Sequence, residues 1–182
     1  MDRELVERAR SGDHDAFEVL AAGIVDHCYG VARLILRDAD RAEDAAQEAL
    51  VRCWRDLPSL REVDRFDAWL GRLLMRAIND EFRRGSRFRA NITVLTREPS
   101  TTDAVSTAIA DRELLERGFA RLSIEHRSIV VLRLHLGLSV QETATILGIP
   151  VGTAKSRLHY ATEALRRALE ADTEPRSQEV SA

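Results

Sequence analysis

The sequence predicts an all-α protein: two small helical domains joined by a flexible linker, the C-terminal one a helix-turn-helix. Along most of the chain, apolar residues recur at steps of three and four, the period of amphipathic helices. Residues 86–110 lose this period and carry Ser, Thr, Asn and Pro. Near the C-terminus, two helical patterns flank a short turn that contains glycine. The predicted boundaries are therefore 1–85 and 111–171 for the domains, 86–110 for the linker and 172–182 for a polar tail.

Three or four helices with a common core are predicted in the N-terminal domain. A short helical pattern over 5–9 is interrupted at Ser11-Gly12, and a long apolar stripe follows over 17–36. Asp40 is placed to cap the next helix, with Glu43 three residues later. That helix should end at Pro58-Ser59 and bury one face, made of Ala42, Ala45, Ala46, Ala49, Leu50, Cys53, Trp54 and Leu57.

The opposite face of this helix, RAEDAAQEALVRCWRDL, is mostly polar and is a candidate binding surface. Its charges suit a charged helical partner. An alternative interpretation is a solvated face with internal ion pairs such as Glu48–Arg52 at i, i+4. The candidate binding residues on this face are Asp44, Gln47, Glu48, Arg52 and Arg55.

The last helix of this domain, FDAWLGRLLMRAINDEFRR, also has two faces. Its broad apolar side comprises Phe66, Trp69, Leu70, Leu73, Leu74, Ala77, Ile78 and Phe82. Trp69 at this spacing is more typical of a core residue than of a stacking platform. The other side offers cations that suit the phosphates of a nucleic acid and polar groups that suit base edges. These candidate DNA-binding residues are Arg72, Arg76, Asn79, Asp80, Arg83 and Arg84.

In the C-terminal domain, Ser123 is placed to cap a helix that runs to Gly137, although SIVVLRLHL within it alternates like a strand. Ser139 and Glu142 fit a capping box, and Gly148-Ile149-Pro150 ends the helix they begin. The following helix has an apolar face comprising Ala154, Leu158, Ala161, Leu165 and Ala168. In a helix-turn-helix, this second helix offers its first turns to DNA. The candidate residues are Thr153, Lys155, Ser156 and Arg157, and the alternative is a helical hairpin without a ligand.

Composition favours a cytoplasmic protein without cofactor or metal. The net charge is −3, with an acidic N-terminal domain and a basic C-terminal one that contains the only lysine, Lys155. Cys28 and Cys53 lie outside any zinc-binding or disulfide pattern. No run approaches the roughly 18 apolar residues of a membrane span, and the N-terminus is unlike a signal peptide, so no membrane insertion is expected. The sequence shows neither a nucleophile with a base nor paired carboxylates, the arrangements that would suggest an enzyme.

Taken together, these segments resemble the extracytoplasmic-function (ECF) group of bacterial RNA polymerase sigma factors, in the sigma-70 family. RAEDAAQEALVRCWRDL is similar to the region 2 helix that grips the clamp helices of the polymerase largest subunit. FDAWLGRLLMRAINDEFRR is similar to the helix that opens the minus-ten promoter element. LGIPVGTAKSRLHYATEALRR is similar to the region 4 helix-turn-helix that reads the minus-thirty-five element. The resemblance implies an alternative sigma factor, with core polymerase, promoter DNA and an anti-sigma factor as partners.

Two departures from the family pattern stand out. Met75-Arg76 occupies the place where the family commonly has Arg-Asn, which alters the expected minus-ten contacts. Leu122-Ser123 replaces the usual Leu-Pro, a neutral change because serine caps helices well. Two rival functions remain at this point. One is a helix-turn-helix regulator with an N-terminal α/β receiver, and the other is a degenerate sigma-like protein that binds polymerase without initiating transcription.

Overall fold

The computed structural model describes residues 2–91 and 116–173, and the regular structure in these ranges is helical, as predicted. The described part of the chain contains no strand, which argues against an α/β receiver. A short helical stretch at 116–120 precedes the C-terminal helices. The main elements are α1 (Arg3–Arg10), α2 (His14–Leu36), α3 (Ala39–Asp56), α4 (Phe66–Asn91), α5 (Ile124–Val130), α6 (Val140–Leu147) and α7 (Val151–Thr173).

Helix α2 is the centre of the N-terminal domain and packs against α1, α3 and α4. Leu20, Cys28 and Ile35 on its inner face are fully buried. Over 18 residues, α2 is apolar and long enough to pass as a membrane span. Its apolar residues are explained by the three helices around it, so we interpret α2 as the core helix of the domain.

Aspartates begin the first three helices, because a carboxylate can accept the amide hydrogens that a helix start leaves unpaired. Asp2 caps α1, and Asp13 caps α2 after the break at Gly12, which has a φ of 97°. Asp38 caps α3 and accepts from the Arg41 amide. The expectation that Asp40 is this cap was therefore wrong: α3 begins one residue before Asp40, which lies in its first turn.

Small residues line the buried face of α3, namely Ala42, Ala45, Ala46, Ala49 and Cys53. They let α2 and α4 approach closely on either side. Helix α4 continues to Asn91 and so includes the first six residues of the predicted linker, 86–91. The reason is that 86–91 contains arginine and alanine, both good helix formers, and no proline. The rest of the predicted linker that precedes the C-terminal domain lies outside the described residues.

The C-terminal domain has the predicted helix-turn-helix. Ser139 and Glu142 form the complete capping box at the start of α6, and Gly148 ends α6 in the left-handed conformation with a φ of 67°. Ser123 caps α5, and the helix continues as a π-helical turn over Val131–His135. The segment that alternates like a strand is thus helical. The domain's own core comprises Ile129, Val130, Ala144, Ala154 and Ala161.

The two domains also pack against each other. Helix α6 lies against α4, while α5 and its π-helical turn lie against α2. Four C-terminal residues belong to the same buried cluster as the N-terminal core, and these are Ile124, Val131, Leu132 and Ile146. We call this set the docking face of the C-terminal domain.

Candidate functional surfaces

The outward face of α3 presents most of the predicted polar residues to solvent. Asp44, Gln47 and Arg55 are exposed, and Glu48 is partly exposed. The Gln47 amide donates to Glu43 on the same helix at 3.2 Å. Arg55 donates to its neighbour Asp56 at 2.7 Å, and this hydrogen bond raises the pKa of Arg55. These contacts lie within α3 or at its end, so the face is open to a partner.

Arg52 differs from the other predicted residues of this face. Its side chain is only 16% exposed and its guanidinium joins two carboxylates, Glu48 on α3 and Asp80 on α4, each at 2.8 Å. The hydrogen bond to Asp80, followed by the contact with Glu48, raises the pKa of Arg52. Arg52 and Asp80 were predicted to bind different partners, whereas the structure brings them together. The bridge therefore connects the candidate polymerase-binding helix to the candidate DNA-binding helix.

An aromatic cluster beside the α3 face was missed by the sequence reasoning. Trp54, expected in the core, is 40% exposed, and its ring lies 4.7 Å from Phe17 and 4.9 Å from His14, measured between centroids. The residue is displaced because alanines fill the α3 interface, leaving room for a large ring only at its edge. Val51, one turn away, is 58% exposed. Exposed apolar groups beside a polar stripe are typical of a protein-binding surface.

A shallow hollow opens beside this tryptophan. It has a volume of about 300 Å³ and its lining includes His14, Trp54, Arg55 and Pro58. The hollow therefore lies at the C-terminal edge of the α3 face, beside the start of α2.

The polar side of α4 is open to solvent where DNA contacts were predicted. Arg76, Asn79 and Arg83 are exposed, and Arg72 is partly exposed. At 100° per residue, these four positions fall within one narrow sector of the helix. We call them the minus-ten face.

The other two predicted residues of α4 lie away from this sector. Asp80 turns towards Arg52. Arg84 binds the carboxylate of Glu81, the one charged residue that is buried in the described part of the chain. Met75, where the family commonly has arginine, is 2% exposed and belongs to the core cluster.

The first turns of α7 present the predicted recognition residues. Thr153, Lys155 and Ser156 are exposed, and the Ser156 hydroxyl donates to the Thr153 carbonyl at 3.1 Å. Arg157 is half-buried. Burial favours a raised pKa for Glu125 on α5, but hydrogen bonds from its own amide and from Ser123, together with the charge of Arg157, lower it. The charge of Arg157 on α7 therefore acts on Glu125 of α5, an interaction between helices that helical periodicity alone does not reveal.

The described residues include no group of three or more potential metal ligands. The two cysteines are buried, and burial raises the pKa of Cys28 to about 11 and that of Cys53 to about 12. Their thiols are therefore unreactive near neutral pH.

Comparisons with known proteins agree with this arrangement. Residues 24–88 match Sigma-70 region 2 and residues 118–167 match Sigma-70, region 4. The ECF RNA polymerase sigma factor SigL of Mycobacterium tuberculosis is 40% identical over 153 residues, covering 80% of this chain and 85% of that protein. The RNA polymerase sigma-H factor of Pseudomonas aeruginosa is 32% identical over 182 residues, covering 93% of this chain and 94% of that protein.

A solved structure of similar fold is that of CnrH in complex with the cytosolic domain of CnrY. It superposes with a TM-score of 0.67 at 26% identity, covering 94% of this chain and 99% of CnrH. With regions 2 and 4 in the expected order and relatives matched over most of their length, this chain belongs to the ECF group of the sigma-70 family and is a sigma factor.

Proposed function

We propose that three exposed surfaces of this sigma factor each have a separate binding function. The outward face of α3 binds the clamp helices of the polymerase largest subunit, the minus-ten face of α4 captures a separated promoter strand, and the start of α7 reads the minus-thirty-five element. The observation that supports this division is that each surface lies on a different helix and is solvent-exposed, while the apolar side of the same helix holds the core.

The α3 face combines the two features of a strong protein-binding site. Trp54 and Val51 offer apolar area that is already ordered by packing, and the neighbouring Asp44, Glu48 and Arg55 offer charges of both signs. Aromatic groups at an interface centre contribute most of the binding energy, and charged groups at its rim set orientation and rate of association.

The assigned role is that of an initiation factor in the cytoplasm, where core polymerase and promoter DNA are found, with no catalytic centre of its own. We also propose an anti-sigma protein as a partner. The CnrH structure, in which a similar fold is bound to the cytosolic domain of another protein, supports this proposal.

The test is in vitro transcription with purified core polymerase on a promoter library. The wild type is compared with a double variant in which the charges of Asp44 and Glu48 are reversed. The double variant should bind core polymerase at least tenfold more weakly while its circular dichroism is unchanged, because it places like charges at the interface. Unchanged capture of core polymerase by the folded variant would contradict the assignment of α3. Polymerase binding without transcription from any promoter would favour the degenerate sigma-like regulator.

A further inference from the structure

The minus-ten face of α4 has an acidic neighbour, Asp80. At 100° per residue, Asp80 lies about 40° around the helix from Arg76 and about 60° from Arg83. Both arginines are about one turn away along α4, which places their Cβ atoms about 6 Å from that of Asp80. The Asp80 side chain is 40% exposed. A charged carboxylate at the edge of a surface for phosphates would repel them.

Arg52 neutralises this carboxylate from the neighbouring helix. Its guanidinium, on α3, donates to Asp80 at 2.8 Å, although the Arg52 side chain is only 16% exposed. A second hydrogen bond, to Glu48, holds the guanidinium from the α3 side. Arg52 is thus too buried to contact a DNA strand itself, and its charge acts on the two carboxylates.

The bridge also leaves two arginines of α4 available. Asp80 is the one acidic residue in the sequence that lies three or four positions from Arg76 or Arg83. Without Arg52, Asp80 would pair with these arginines at i, i+4 and i, i+3. Arg84 is not available to Asp80, because it already binds the buried carboxylate of Glu81. In the structure, Arg76 and Arg83 are exposed and have no ion-pair partner among the described residues.

We propose that Arg52 is a positioning residue for capture of the separated promoter strand: by holding Asp80, it keeps Arg76 and Arg83 free to bind phosphates. This inference rests on the proposed function, because it assumes that the minus-ten face binds the strand. It assigns Arg52 a role in DNA capture that does not require contact with DNA or with polymerase.

The size of the effect follows from two contributions. A free carboxylate about 7 Å from a phosphate lowers affinity about threefold through repulsion in water. Each arginine that is drawn into a pair on the helix lowers affinity about twofold more. Together these contributions amount to about tenfold at low salt, where screening is weak.

The test uses holoenzyme assembled from core polymerase and the full chain. The probe is a fork DNA with a single-stranded minus-ten segment, taken from a promoter that the library assay selects. At low salt and well below the unfolding midpoint, Arg52→Met should bind the fork about tenfold more weakly than wild type. Arg52→Lys keeps the charge and should stay within about threefold of wild type.

Removal of the Asp80 charge separates this role from a purely structural one. The double variant Arg52→Met/Asp80→Asn should recover fork binding to within about twofold of wild type, because no carboxylate is left to neutralise. Its urea unfolding midpoint should stay near that of Arg52→Met, because the bridge is still missing. A purely structural role predicts instead that both variants bind the fork equally.

Arg3→Met is the matched control. Arg3 on α1 also bridges an aspartate, Asp64, at 3.1 Å, and its side chain is 65% exposed. The substitution therefore makes the same change in net charge and also breaks an Arg–Asp bridge. Asp64 precedes α4 and lies outside the minus-ten face. Fork binding by this variant should stay within about twofold of wild type.

The salt dependence gives a second readout that a loss of stability alone does not change. Binding of a single strand loses about 0.7 in the slope of log affinity against log salt for each phosphate contact. Arg52→Met should therefore have a slope that is smaller by about 0.7 for each arginine that Asp80 withdraws, and the double variant should regain it.

Equal affinity and slope for Arg52→Met and wild type would overturn the inference, as would a double variant that binds no better than Arg52→Met. If circular dichroism shows that Arg52→Met does not fold, Arg52→Gln replaces it with the same expected results, because the amide still donates to a carboxylate but carries no charge. If the wild-type holoenzyme initiates on no promoter of the library, the proposed function fails instead.

Discussion

The bridge from Arg52 to Glu48 and Asp80 predicts that Arg52 acts in stability and not in polymerase binding. Arg52→Met keeps the apolar stem and removes both charge-assisted hydrogen bonds, each 2.8 Å long in the structure. Buried hydrogen bonds to charged groups contribute about 1.5–3 kcal/mol each. The carboxylates are 36% and 40% exposed, so solvent screening reduces this figure. We expect the free energy of unfolding of the N-terminal domain to fall by about 2 kcal/mol.

Urea unfolding followed by tryptophan fluorescence measures this change, because both tryptophans of the chain, Trp54 and Trp69, lie in the N-terminal domain. Arg55→Met is the matched control. Arg55 is on the same helix, is 66% exposed and pairs only with its neighbour in the described contacts. We expect the stability change for this control to be within about 0.5 kcal/mol. A double-mutant cycle of Arg52→Met with Asp80→Asn should give a coupling energy of about 1 kcal/mol.

The decisive comparison is between unfolding and binding. The Arg52→Met variant, kept well below its unfolding midpoint, should bind core polymerase within about twofold of wild type, because its guanidinium faces α4 and not the partner. A variant with unchanged stability and strongly weakened polymerase binding would refute this reasoning. It would also restore the interpretation from sequence, in which Arg52 contacts the polymerase.

Four further predictions concern DNA binding and pH. Replacing Arg76 and Asn79 with Ala should spare polymerase capture and weaken permanganate reactivity of the melted minus-ten element, and reactivity equal to wild type would contradict the minus-ten face. Arg157→Ala should cost about 1–3 kcal/mol and relax preference at one base of the minus-thirty-five element, measured against single-base variants. Lys155→Ala should weaken all sequences alike and lower the salt slope by about one. The capping box lowers the pKa of Glu142 from 4.5, chiefly through hydrogen bonds with Ser139. The capping box stabilises the fold fully above the pKa that Glu142 has in the unfolded chain, and this stabilisation is lost as the pH falls through the lower pKa of the folded chain. Glu142→Gln should therefore flatten the acid side of the profile of stability against pH, measured by circular dichroism.

The features that the sequence predicted well are set by local rules. The capping box at Ser139 and Glu142, the end of α6 at Gly148 and the apolar face of α7 each involve residues within a few positions of one another. Spacing along a helix determines such features, so they can be predicted from one chain. The exposure of the first turns of α7 follows from the same periodicity.

The features that the sequence missed depend on which helices meet and in what register. Arg52 and Asp80 are 28 positions apart, and nothing in either helix alone indicates that the two side chains pair. Trp54 fits the apolar spacing of α3, yet the small residues beside it bring the neighbouring helices too close for an indole in the core. Long-range packing therefore decides between a binding residue and a structural one at both positions.

Helix α4 shows why one apolar stripe was too simple a description. Leu70, Leu73 and Ala77 face the core, and the minus-ten face lies on the opposite side. Gly71 and Met75, one turn apart, occupy a third sector between these two, on the side where Ile146 docks. An arginine at position 75, as the family commonly has, would place a charge in a buried sector, whereas methionine suits it. The departure at Met75 and the glycine at position 71 therefore have one explanation: α4 holds the second domain on the flank of the surface that we propose binds DNA.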